Sequence, residues 1–188
     1  MNIFYLHREP KIAAQMHVDK HCVKMILETC QLLSTAHRVL DGEQVIGKTK
    51  TGRNVKRWVL PDSRDETLYQ ATHVNHPSAV WCRQSHLNYR WLHNLLVELI
   101  VEYHYRYGKV HKCQNIGLVD DLSMLPKSIP YRPFTEPTPA MPDKYKIPGN
   151  SVQSYRNYYN GEKQRMFRWK QRPVPEFINM PGEQYAAI

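Results

Sequence analysis

The sequence predicts a mainly α-helical fold: a single compact domain of three principal helices, with a basic hairpin or loop insertion and a long proline-rich connection. Apolar residues recur at intervals of three and four over two long segments, which is the period of a helix with one buried face. The 188 residues, 41% hydrophobic and 23% charged, correspond to one globular domain. We expect this domain to span residues 1–178, followed by a loosely ordered tail over 179–188.

The first helix is expected to begin at Pro10, which suits a first helical turn, and to run unbroken to about Leu40. Asp41 and Gly42 then end it. One apolar stripe along this segment indicates the face that packs into the core. The stripe consists of Val23, Ile26, Cys30 and Leu33.

Residues 43–60 interrupt the helical pattern. Two short apolar segments flank the sequence GKTKTGRN, which indicates a hairpin or a long loop. A phosphate-binding finger and a solvated loop both account for this composition. Its cations, with no acidic residue among them, are Lys48, Lys50, Arg53, Lys56 and Arg57.

A second helix is expected over about residues 78–107, after the turn Asn75-His76-Pro77. Residues 109–150 contain seven of the 13 prolines and show little periodicity, so we interpret them as extended chain that wraps the helices. Asn150 suits the N-cap of a third helix that reaches about Arg172.

The charge balance indicates a polyanionic partner. Lys and Arg total 26 against 17 acidic residues, for a net charge of +9 and a pI near 9.4. No run of 18 apolar residues and no signal-peptide pattern is present, so we expect a cytoplasmic protein that does not bind membranes. The four cysteines form no C-x-x-C pair and are expected to be free thiols.

The most informative pattern lies in the first predicted helix, where seven polar residues step by three and four and so share one face. Glu28 is the only acid among them, and nearby cations would keep it ionised. Such a carboxylate could stabilise a cationic sugar-like transition state or move a proton. A solvated helix face with a plain Lys24–Glu28 ion pair is the alternative. The seven residues are His17, His21, Lys24, Glu28, Gln31, Thr35 and Arg38.

His17 and His21 also have the spacing of a metal-binding pair. A third ligand would have to come from elsewhere in the chain, and a metal-dependent nuclease is the corresponding alternative function. The candidates for that third ligand are His37, His111 and Cys113.

The third predicted helix alternates aromatic and basic residues, with Glu162 as its only acid. Rings set among cations are typical of nucleic-acid surfaces, although the rings could equally belong to the core. Its aromatic and basic residues are Tyr155, Arg156, Tyr158, Tyr159, Lys163, Arg165, Phe167, Arg168, Trp169, Lys170 and Arg172.

Three blocks of this sequence resemble the phage-type pyrimidine-dimer DNA glycosylases, known as the endonuclease V of ultraviolet repair, and their bacterial relatives. The first is Asp19-x-His21 followed after six residues by Glu28. The second is Asn75-His76-Pro77 before a long helix that ends in Tyr105-Arg106-Tyr107-Gly108. The third is EKQRMFRWKQRPVPEF over residues 162–177.

The resemblance implies an all-helical N-glycosylase with AP lyase activity on damaged or modified pyrimidines, acting through a Schiff base and without a cofactor or metal. The nucleophile would be the terminal α-amine, carried by Met1 or, after its removal, by Asn2. Glu28 would stabilise the intermediate and move protons, and His21 belongs to the same site. Lys24 or Lys20 could supply a substitute amine.

The expected partner is double-stranded DNA, with no obligate protein partner. A non-catalytic DNA-binding protein on the same fold is the alternative. The expected DNA contacts are His17, Lys20, Gln31, Arg38, Lys48, Lys50, Arg53, Lys56, Asn75, His76, Arg83, Arg156, Arg165 and Arg168.

Overall fold

Two long helices form the centre of the fold in this computed structural model, which describes residues 1–180. Helix α2 (Asp19–Asp41) packs against α5 (His86–Tyr107), and α1 (Pro10–Met16) and α4 (Pro77–Gln84) pack against this pair. The mainly α-helical fold is therefore confirmed, and most of the predicted tail lies outside the described residues. The remaining elements are β1 (Glu43–Lys48), β2 (Asn54–Val59), α3 (Arg64–Thr67), α6 (Lys112–Asn115), α7 (Leu118–Asp121) and α8 (Ser151–Glu162).

The first predicted helix is in fact two helices, because the backbone becomes extended at His17 and Val18. The His17 ring bonds to the carbonyl of Ala13 (2.6 Å), and the His17 carbonyl accepts a hydrogen bond from Arg106 Nη1 (2.9 Å). One local and one long-range contact therefore satisfy polar groups at the break. A two-residue break leaves the apolar spacing almost unchanged, so periodicity does not reveal it.

The second predicted helix is also divided, at Ser85, whose backbone is extended (φ −152°, ψ 139°). The Ser85 hydroxyl accepts the backbone N–H of Leu87 (3.1 Å) and donates to the carbonyl of Arg132 (2.6 Å). Ser85 therefore serves as the N-cap of α5 and fixes the proline-rich chain to it.

The insertion over residues 43–60 is a hairpin, in which β1 and β2 pair antiparallel with Gln44 opposite Trp58 and Ile46 opposite Lys56. Gly42 links α2 to β1 because a Cβ at this position would lie 2.6 Å from the carbonyl oxygen of Arg38. The end of α2 and the base of the hairpin are consequently in close contact.

The connection over residues 109–150 is less extended than expected at its start, where it forms α6 and α7. After α7, its only helical part within residues 109–150 is a 3₁₀ turn, Asp143–Tyr145. Helix α8 is capped by the Asn150 side chain, which accepts the N–H of Gln153 (2.9 Å). It ends ten residues earlier than expected, at Glu162 rather than Arg172, before a second 3₁₀ turn over Gln164–Met166.

One apolar core joins these elements, and it includes the N-terminal segment Ile3–Leu6, which is buried among the helices. Residue 1 is thereby drawn toward the middle of α2 instead of extending into solvent. None of the helices within residues 1–180 is both long enough and apolar enough to cross a membrane.

A buried ionic network connects α2, α5 and the segment after α8. Arg106 donates to Glu102 (2.6 Å) and to Asp19 (2.9 Å), and Arg172 donates to Glu102 (2.8 Å). We call these four residues the Arg106 cluster. Asp19 belongs to the first sequence block, Arg106 to the end of the second and Arg172 to the third. The three blocks therefore meet at this cluster.

Candidate active site

The buried N-terminal segment places the first two residues beside Glu28. The Asn2 side chain donates to the carbonyl of Ala140 (2.9 Å) and accepts the backbone N–H of Ile3 (2.8 Å). The backbone nitrogen of Asn2 donates to Glu28 Oε2 (3.0 Å), and the α-amino nitrogen of Met1 lies 4.0 Å from the same oxygen. Two nitrogens of the chain start therefore adjoin one carboxylate oxygen.

Glu28 projects from the middle of α2, and its side chain is 12% exposed. Its second oxygen, Oε1, lies 3.1 Å from Lys24 Nζ, one helical turn earlier. The Lys24 side chain is 68% exposed, so this ion pair is solvated on one side. Glu28 thus combines an internal hydrogen bond with access to solvent, whereas a core carboxylate would be enclosed.

The site opens into a cavity of about 380 Å³. This volume lies in the range of small-ligand sites, roughly 300–1,000 Å³. Among the described residues, Glu28 is the only carboxylate in its lining, and four of the other lining residues are cations, which favours an anionic occupant. The lining comprises Met1, Asn2, Phe4, Lys20, His21, Lys24, Glu28, Tyr158, Lys163, Arg165 and Met166.

His21 forms one wall of the cavity. Its Nδ1 lies 2.6 Å from the hydroxyl of Tyr159, and its ring stacks on Phe4 at a centroid distance of 4.1 Å. Burial lowers the pKa of His21 to about 3, so the ring is neutral at physiological pH. A neutral, fixed imidazole can exchange a hydrogen bond with a bound group without adding charge to it.

Four lining residues were not among the expected site residues: Phe4, Tyr158, Lys163 and Met166. Phe4 comes from an apolar segment that the sequence identifies only as core. Lys163 lies over the ring of Tyr158 (4.4 Å) and donates to its hydroxyl (3.1 Å). The aromatic-basic pattern of the third predicted helix contains Tyr158 and Lys163, and this was the one signal that could have identified them.

Two residues of the predicted polar face, His17 and Arg38, were expected to contact DNA but are buried. His17 is fully buried, with its Nδ1 bonded to a backbone carbonyl, and burial lowers its pKa to about 4. Arg38 is also fully buried, with a guanidinium that donates to Asp65 and to four backbone carbonyls. Thr35 is buried as well. The predicted face enters the core at both ends, because α2 lies across the centre of the fold.

Three further expected DNA contacts, Gln31, Asn75 and His76, lie outside the lining of the cavity. Gln31 is partly exposed one turn after Glu28 but does not line the cavity, and Asn75 is exposed. The His76 side chain accepts the N–H of Ser78 and so caps α4. Its pKa is lowered by burial and by the charge of the Met1 amino group.

The expected arginine contacts divide into three groups. Arg83 donates to the carbonyl of Val74 (2.7 Å) and so supports the segment before α4. Arg156 donates to the carbonyl of Leu6 and stacks on Phe177, and it borders a different cavity from the candidate site. Arg165 and Arg168 are exposed near the entrance, and only Arg165 lines the site cavity. In the hairpin, the exposed cations are Lys48, Lys50, Arg53 and Lys56.

The proposed metal ligands do not come together. His17 and His21 use Nδ1 for Ala13 and Tyr159, respectively, and His37 lies at the other end of α2 against Tyr89. Within residues 1–180, no three or more His, Cys, Asp or Glu side chains are grouped so that they could hold a metal ion.

Comparison of the chain with protein-family models, with curated proteins and with solved structures gave no significant match.

Proposed function

We propose that this protein is a DNA glycosylase with AP lyase activity on damaged or modified pyrimidines. The observation that carries the proposal is the distance of 4.0 Å between the Met1 α-amino nitrogen and Glu28 Oε2, at the edge of a cationic cavity. If Met1 is removed, the Asn2 nitrogen becomes the free amine, and it lies 3.0 Å from the same oxygen. In either form, an amine adjoins the carboxylate.

The proposed reaction begins when the neutral amine attacks C1′ of the target nucleotide. The N–C1′ bond forms, the bond from C1′ to the base breaks, and the base leaves with a proton. Protonation of O4′ opens the sugar ring and gives a protonated Schiff base, which the Glu28 carboxylate stabilises. Removal of a C2′ proton expels the 3′ phosphate and cleaves the strand, and hydrolysis of the remaining imine frees the amine.

The cavity supports this chemistry in two further ways. Lys20, Lys24, Lys163 and Arg165 provide cations for the phosphates on either side of an extruded nucleotide. The neutral His21 ring is fixed so that it can hydrogen-bond the sugar or the departing base.

Borohydride trapping tests the Schiff base directly. We expect a covalent protein–DNA adduct with ultraviolet-irradiated duplex and with duplex containing an abasic site, and peptide mapping should place it on residue 1 or 2. A chain extended by several residues before Met1 should form no adduct, because its α-amine is displaced. Absence of an adduct on every damaged duplex would overturn the mechanism.

Glu28→Gln should lower the rate of base release about 10²- to 10⁴-fold, because the variant cannot transfer the proton or balance the iminium charge. Binding to the same duplex should change little, since the amide keeps the shape of the side chain. Glu66→Gln, at an exposed position outside the cavity, is the matched control. Unchanged base release in Glu28→Gln would contradict the catalytic role of Glu28, and no base release in the parent protein would favour a non-catalytic DNA-binding role.

A further inference from the structure

A groove of about 630 Å³ separates the hairpin from the segment before α4. Gln44, Val55, Lys56 and Trp58 line the hairpin side, and residues 71–76 form the opposite wall. At one end of this wall lies His76, whose pKa is lowered by burial and by the charge of the Met1 amino group.

The strand register places three of these lining residues, Gln44, Lys56 and Trp58, on one face of the hairpin. Trp58 lies opposite Gln44, Lys56 opposite Ile46, and Lys48 opposite Asn54. Directly opposed residues share a face of the hairpin, as do residues two apart on one strand. One face thus carries an aromatic ring and two lysines, with no carboxylate among its six residues.

Both walls of the groove are anchored to α2. Arg38 Nη1 donates to the carbonyl of Trp58 (2.7 Å), which fixes the strand behind the indole ring. On the other wall, the N–H of Thr72 donates to the Thr35 hydroxyl (3.1 Å). The buried Arg38 and Thr35, which we expected on an exposed polar face, therefore hold the two sides of the groove at a defined separation.

The groove also presents polar groups, although His73 Nδ1 already bonds to the Thr72 hydroxyl (2.8 Å). Within residues 1–180, the indole N–H of the partly exposed Trp58 has no hydrogen-bond partner among the protein groups. His73 and Asn75 are exposed on the opposite wall. His73 adopts a left-handed backbone conformation (φ 48°), which is uncommon for a residue other than glycine, and its carbonyl accepts the N–H of His76 (2.8 Å).

We propose that this groove binds an unpaired nucleotide of the DNA, with its base stacked on Trp58 and its phosphates beside Lys56 and Lys48. His73 and Asn75 face the edge of the base. This inference rests on the proposed DNA-directed function and narrows its substrate class to DNA in which a nucleotide near the target is unpaired. Stacking on an aromatic ring tolerates any base, so the groove selects for exposure of the base and not for its identity.

The test compares two forms of one labelled DNA, an intact duplex and the same duplex with three unpaired nucleotides, by fluorescence anisotropy at fixed salt. The protein carries Glu28→Gln so that DNA is not consumed. Adding Trp58→Leu should weaken binding of the unpaired form about 5- to 150-fold, which is the range for loss of one stacked base. Binding of the intact duplex should change by less than about threefold.

Two matched variants control for the hairpin itself. Trp58→Phe keeps an aromatic ring and should retain the preference for unpaired DNA. Val59→Ala alters an exposed apolar residue on the opposite face and should bind both DNA forms as the parent does. Equal weakening of both DNA forms by Trp58→Leu, or no weakening of either, would overturn the proposal.

Tryptophan fluorescence provides a second readout that does not depend on the leucine variant folding. Unpaired DNA should quench part of the emission, and Trp58→Phe should abolish that part. Identical quenching in the parent and Trp58→Phe would contradict stacking in the groove. Both measurements use binding alone, so absence of a borohydride adduct together with selective binding would reject the glycosylase and leave the groove in place.

Discussion

Glu28 and Glu102 are both acidic residues on the two central helices, yet their surroundings differ. Glu102 is 2% exposed, and its two oxygens accept hydrogen bonds from Arg106 and Arg172. Glu28 accepts one backbone N–H, lies near an amine and an exposed lysine, and borders a cavity of about 380 Å³. A carboxylate whose partners enclose it stabilises the fold, whereas one that borders a cavity beside an amine remains accessible to a bound molecule.

The same contrast separates the arginines. Arg38 and Arg106 have their guanidinium groups saturated inside the protein, although their positions in basic or resembling segments favoured a functional role. Arg165 and Arg168 lie in an equally basic segment and remain exposed near the entrance of the site. Basic segments of the sequence therefore contain both buried and exposed arginines. Only the hydrogen-bond partners of each arginine in the folded chain distinguish the two kinds.

The Arg106 cluster offers the largest expected effect on stability. Arg106→Met removes the cation but leaves Glu102 buried, so we expect the free energy of unfolding to fall by about 3–5 kcal/mol. Urea denaturation followed by circular dichroism measures this loss. Glu28→Gln, at the solvent-accessible carboxylate, should reduce stability far less. Equal losses in the two variants would remove the distinction between an enclosed and an open carboxylate.

The buried histidines His17 and His21 should make the folded protein less stable in acid. Burial lowers the pKa to about 4 for His17 and to about 3 for His21, below the value near 6.5 expected in the unfolded chain. Between about pH 6.5 and 4 the unfolded state binds protons that the folded state does not. Above this pH range, the two histidines leave the free energy of unfolding undiminished. That free energy falls by about 1–3 kcal/mol per histidine as the pH decreases through the range.

Urea denaturation between pH 7 and pH 4.5 measures this dependence. His21→Gln should reduce the slope of the unfolding free energy against pH, because one of the groups that titrate only after unfolding is gone. Val101→Ala, a non-titrating change at an exposed position on α5, should leave the slope unchanged. The same slope for both variants would show that His21 is accessible to protons in the folded protein.

The Lys24–Glu28 ion pair should have the smallest effect. Because Lys24 is 68% exposed, Lys24→Ala should change the free energy of unfolding by less than about 1 kcal/mol. If the α-amine is the nucleophile, this variant should still form the borohydride adduct. A folded Lys24→Ala protein without an adduct would identify Lys24 as the attacking amine.

Several features of the fold and site could be predicted from local pattern. The mainly α-helical class, the position of Glu28 within a helix and the basic hairpin follow from periodicity, breaker residues and charge. The breaks at His17 and Ser85 could not be predicted, because contacts with Arg106 and Arg132, far away in the chain, stabilise them. The end of α8 at Glu162 was missed for a related reason, since the next residues turn back toward α2.

The sequence by itself determined which residues could be chemically active: a glutamate among cations on one helix, and rings and cations on another. Only the tertiary structure decided which of them meet. Burial of Ile3–Leu6 brings the chain start to Glu28, while the crossing of α2 through the core encloses His17 and Arg38. Spacing along a helix specifies a face, but the elements that cover that face are distant in sequence, so exposure is a property of the folded chain.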